Sequence, residues 1–106
     1  MTPKDLVREF TLLKTDLTSN YFSKESEISR LTELKQSGFT QQQIDIVRNV
    51  FDEGLTDALY TVLLGLDGAA SIGSVQNNYV IKDEEGNLLT GNGELETYAW
   101  EEFHGS

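Results

Sequence analysis

The chain has no cysteine, a single proline, a single tryptophan and a single histidine. Without thiols it forms no disulfide and no thiolate metal site, although this alone does not fix the redox compartment. A catalytic triad or a zinc site needs a set of positioned partners. None surrounds the lone His104 beside Gly105, which reads as an exposed, idle side chain. Long apolar runs are also missing. The longest, "ALYTVLLGL" at 58–66, is nine residues interrupted by Thr61 and Gly65, too short to span a bilayer. The opening "MTPKDLVREF" is charged within five residues and lacks an apolar signal core, so a cytoplasmic protein is expected.

The scarcest commodity is positive charge in the second half. Residues 1–48 hold seven acids and seven bases, whereas residues 49–106 hold eleven acids and Lys82 alone as a base. The whole net charge of −10 therefore lies beyond residue 48. Such a field repels phosphate backbones and anionic lipid and attracts basic surfaces, which argues against direct nucleic-acid or membrane binding.

With 106 residues, 38% apolar and 25% charged, the chain is expected to form one compact domain over 1–106. Thr2, Pro3 and Asp5 suit a helix start, and Leu6, Phe10, Leu13 and Leu17 then form an apolar stripe ending near "TSNYF". Ser23 is a candidate cap for a second helix with Ile28, Leu31 and Leu34 on one face, stopped at "SG" 37–38. "GFTQQQI" combines a capping box (Thr40, Gln43) with a hydrophobic staple (Phe39, Ile44), so a long third helix is predicted over 41–66. Gly54 inside it marks a bend or a close contact, and its second half reads as buried on several sides. "NYVIK", "DEEGN" and "LL" predict a short β-hairpin, and "ELETYAWEEF" a terminal helix with Leu95, Ala99 and Phe103 inward. The expected fold is therefore α+β and α-dominant: three helices, a hairpin and a closing helix.

Candidate chemistry is thin. "GAASIGS" at 68–74 has the glycine spacing of a phosphate loop, but a helix precedes it and no lysine serves it. Its glycines read instead as a helix stop. Counted as a calcium loop from Asp83, "DEEGN" places glycine at position 4 instead of 6, although Glu94 falls at position 12. Glu53 and Asp57, at i and i+4, read as like charges on a wet face, and Ser71 and Ser74 have no evident base. No catalytic residue, cofactor or metal ligand is assigned, and the chain is expected not to be an enzyme.

The aromatic residues of the terminal helix give a better lead. Trp100 and Tyr98 flank its inward face among Glu94, Glu96, Glu101 and Glu102, a composition suited to docking on a basic protein. Asp83, Glu84 and Glu85 add to the same acidic half. Trp100 has two readings, an anchor at an interface or a lid on the core. In size, charge and lack of a catalytic set the chain resembles bacterial immunity proteins, antitoxins and phage-encoded inhibitors. The likeness is one of type, with no motif behind it, and it carries over no residue roles. It implies a basic partner such as a toxin or nuclease. The alternatives are a regulatory or scaffold domain that binds through its helices, and a carboxylate-based enzyme or metal-binding protein.

Overall fold

In the computed structural model, which describes residues 1–105, four helices follow one another: α1 (Pro3–Tyr21), α2 (Leu31–Gln36), α3 (Gln41–Leu66) and α4 (Glu94–His104). The two capping boxes are local and form as the sequence dictates. Thr2 Oγ1 accepts from the Asp5 N–H at 3.2 Å while Asp5 Oδ2 accepts from the Thr2 N–H at 2.9 Å. Thr40 and Gln43 do the same at 3.2 and 2.9 Å, and α3 begins at 41 and ends at 66 as predicted. Its stop is a pair of reversed bonds, Gly68 N–H to Gly65 O at 3.1 Å and Ala69 N–H to Leu64 O at 2.8 Å, with Gly68 at φ +83°.

The 26 residues of α3 make a rod of about 39 Å. Tyr21 and Phe22, at the end of α1, pack on Phe51 with ring centroids 4.7 and 5.7 Å away, while Val7 near its start joins Leu63. α1 thus runs antiparallel to α3. Midway, Asp52 accepts from the buried Thr18 hydroxyl at 3.0 Å and pairs with Lys14 at 3.2 Å. α4 returns along the second half of α3, its first turn at Asp67 and its last at Tyr60. Val7, Leu63, Leu95 and Ala99 are the fully buried heart of this three-helix packing, surrounded by Leu6, Phe10, Tyr60, Leu64 and Phe103.

Four expectations are corrected. The β-hairpin does not form: among the described residues there is no sheet, only isolated bridges between Lys82 and Leu88 and between Ile72 and Val75. The fold is helical, not α+β. The reason is the buried Thr90, whose hydroxyl donates to Tyr79 O at 2.6 Å and accepts from the Ile81 N–H at 3.1 Å, taking backbone groups that a ladder would use. Second, α2 is six residues long. Ser23, Ser26 and Ser29 each accept from the N–H two residues on, so residues 23–30 turn instead of winding into a helix. Third, the buried stripe of α1 is rotated, with Val7 and Thr18 inside and Leu13 46% exposed. Fourth, α3 keeps an open face, where Ile46 and Val50 are 58% and 63% exposed and Ala58 and Thr61 face solvent.

Gly54 lies on that open face, with nothing within 4 Å of where a Cβ would stand, whereas at Gly65 a Cβ would run into the Ile72 side chain. The same substitution at two places in one helix therefore has opposite signs. Gly54→Ala is expected to stabilise by about 0.5–1 kcal/mol, a rise of a few degrees in Tm. Gly65→Ala is expected to destabilise by about 1–3 kcal/mol through overpacking. Thermal melts of the two variants check both.

Candidate functional site

α4 has no side-chain cap of its own: its N-cap is Gly93 at φ +81°. Two other side chains serve. Asn92 Oδ1 accepts from the Glu94 N–H at 3.0 Å, and Asp67, at the end of α3, accepts from the N–H groups of Gly91 at 2.7 Å and Glu96 at 3.1 Å. Asp67 thus fixes where α4 starts, and with it the position of everything α4 displays. Glu94 and Glu96 stand in the first turn, where the helix dipole favours negative charge.

Trp100 is 55% exposed, so it is a surface residue and not a lid on the core. Its ring lies 6.5 Å from Tyr60, inclined at 57°, and 5.1 Å from His104. His104 meets Tyr60 edge-on at 4.6 Å, so the histidine expected to be idle closes one end of an aromatic corner. Beside this corner is a shallow cleft of about 350 Å³ lined by Tyr60, Glu96, Thr97, Trp100 and Glu101.

The structure divides the residues proposed from sequence. Glu96, Trp100 and Glu101 come together at the cleft. Tyr98 does not join them: at 100° per residue it sits about 160° around α4 from Trp100. There it packs against the core with Lys4 5.8 Å above its ring. Glu94 and Glu102 are exposed on α4 outside the cleft lining. Asp83, Glu84 and Glu85 line a separate depression with Met1 and Lys82. Sequence reasoning missed Tyr60, Thr97 and His104. The i, i+4 spacing of Trp100 and His104 was available as a signal, whereas Tyr60 arrives from a distant helix.

No family model, curated protein or solved structure matches this chain. Its chemistry therefore has to be read from the residues themselves. No group of three or more His, Asp or Glu side chains suited to a metal ion occurs among the described residues, and none of their helices is long and apolar enough to cross a membrane. "GAASIGS" carries the chain off α3, with Gly73 at φ +70° and Ile72 folded back on Gly65.

Asp83 has a structural task. Its carboxylate accepts from Asn87 Nδ2 and the Asn87 N–H, both at 2.9 Å, from the Glu85 N–H at 3.0 Å, and from the Met1 amino group at 2.9 Å. These donors, the Asn87 side chain foremost, hold the Asp83 carboxyl well below the usual carboxylate range, and the amino group is raised in return, chiefly by the bond to Asp83. A depressed acid contributes order that is complete above its ordinary value and lost as pH falls through its lowered one. A raised amine contributes order that is complete below its ordinary value and lost as pH rises through its raised one. The anchor should therefore be intact between about pH 4 and about pH 8 and loosen on either side. NMR titration of the Glu85 and Asn87 amides checks this. An acid transition centred at the ordinary aspartate value would contradict it.

Proposed function

We propose that this protein is a small, non-catalytic acidic binding protein that docks on a basic protein partner, in the manner of an inhibitor, immunity protein or antitoxin, in the cytoplasm. The observation that carries the reading is Trp100, a large amphipathic ring left 55% exposed beside Glu96 and Glu101 in the half of the chain that bears the whole net charge of −10. Exposed aromatics ringed by polar groups are the usual anchors of protein interfaces, and a field of one sign steers a partner of the other.

The test compares two charge reversals of equal net charge: Glu96→Lys with Glu101→Lys at the cleft, and Glu84→Lys with Glu85→Lys away from it. Binding is measured against a panel of small basic proteins, with acidic ones of similar size as controls. The expected result is association with basic members only, slowing steeply as salt is raised over screening lengths of about 8 Å, and slowed more by the cleft pair than by the remote pair. Equal effects of the two pairs would remove the cleft from the proposal.

The open face of α3 favours a second reading, a scaffold that binds another protein through its helices. Ile46 and Val50 are exposed there, and Gly54 allows a close approach. On that reading Val50→Asp abolishes binding while the cleft reversals leave it unchanged.

A further inference from the structure

Three of the ten aromatic rings in this protein carry one of its own cations. Lys4 lies 5.8 Å from the Tyr98 centroid, Lys14 lies 6.0 Å from Phe103, and Arg30 lies 5.1 Å from Tyr21. Trp100 carries none among the described residues, although indole binds cations best of all the side-chain rings. The carboxylates next to it, Glu96 and Glu101, have no cation either: the ion pairs among the described residues are Met1–Asp83 and Lys14–Asp52. With Lys82 the only base after Arg48, this half of the chain has little with which to supply one.

The shape of the site narrows what would fill it. Tyr60 and Trp100, 6.5 Å apart and inclined at 57°, form an open wedge, and His104 at its end contacts both rings and holds them in place. A flat cation can lie against the exposed indole while its edge turns toward Glu96 and Glu101, which line the same cleft. Guanidinium is planar, weakly hydrated and forked, and so meets all three demands, whereas ammonium is compact and gives up its water reluctantly. Phosphate-bearing ligands, including stacked nucleotides, are repelled by Glu96 and Glu101.

We infer that the wedge between Tyr60 and Trp100 is a receptor for an arginine side chain of the partner, held by stacking on Trp100 and by hydrogen bonds to Glu96 and Glu101. The inference rests on the basic-partner reading and specifies its central contact.

Two peptides of equal length and charge, with arginine in one wherever lysine stands in the other, are titrated calorimetrically into the full chain. The arginine peptide is expected to bind about tenfold more tightly. In Trp100→Leu, a change at an exposed position whose folding is checked by its melting temperature, the arginine peptide should weaken to the level of the lysine peptide, which itself changes little. Glu96→Gln with Glu101→Gln should weaken both. Equal binding of the two peptides to the unmodified chain, or an arginine preference that survives in Trp100→Leu, overturns the arginine receptor and leaves the basic-partner reading standing. No binding of either peptide at millimolar concentration overturns both. Because Trp100 is the only tryptophan, its fluorescence gives an independent readout in the unmodified chain. A shift of its emission with the arginine peptide alone supports the proposal.

Discussion

Leu63→Ala should lower the stability of this protein by about 2–5 kcal/mol, the largest effect expected of a single substitution. Leu63 is fully buried and shares the centre of the molecule with Val7, Leu95 and Ala99, one residue or two from each of α1, α3 and α4. Deleting its branched end leaves a hole with walls on three helices, and rigid helices collapse poorly into such a space. Domains of this size are typically stable by about 5–15 kcal/mol, so the loss could be a large share of the total. Outside this centre the buried hydrophobic side chains among the described residues are Leu31, Ile44 and Leu89, and the others are half-buried or exposed. Equilibrium denaturation in urea measures the change. A cost below about 1 kcal/mol would mean that the three helices do not meet at this residue.

Trp100→Ala should weaken partner binding by about 2 kcal/mol or more, largely through faster dissociation, and leave the melting temperature nearly unchanged. The exposed half of the ring has its contacts still to make. The covered half touches Tyr60 and His104, which remain packed against each other without it. The charge reversals at Glu96 and Glu101 act differently, through the rate of encounter, because exposed carboxylates attract at a distance more than they hold. Surface plasmon resonance separates the two. A large fall in melting temperature on removal of the indole would identify it as core and withdraw the anchor.

What the sequence made legible follows the reach of the interaction responsible. Thr40 and Gln43 lie three residues apart and settle the start of α3 between them. The hairpin failed because the decisive bonds run from Thr90 to Tyr79 and Ile81, eleven and nine residues back, and an ideal alternation pattern carries no trace of them. On α1 the stripe of leucines was visible, but which way it turned was set by where Asp52 meets Thr18 and Lys14. Half of the candidate site was likewise visible, since Glu96, Trp100 and Glu101 are neighbours on one helix. Tyr60 completes the corner from forty residues away, by antiparallel packing that periodicity alone cannot register.

Asp67 caps the end of α3 through its backbone, and its carboxylate holds the start of the next helix through Gly91 and Glu96. The excursion from 68 to 90 therefore leaves and returns at one point, a lasso whose knot belongs to the helices. Lengthening such a closed excursion costs free energy only as the logarithm of its length. The solvent-facing stretch from Ser74 to Asn78 is thus a natural place to splice in a reporter or a second recognition element without disturbing the register of α4. By the same logic, related chains could differ freely in this stretch while presenting the same aromatic corner.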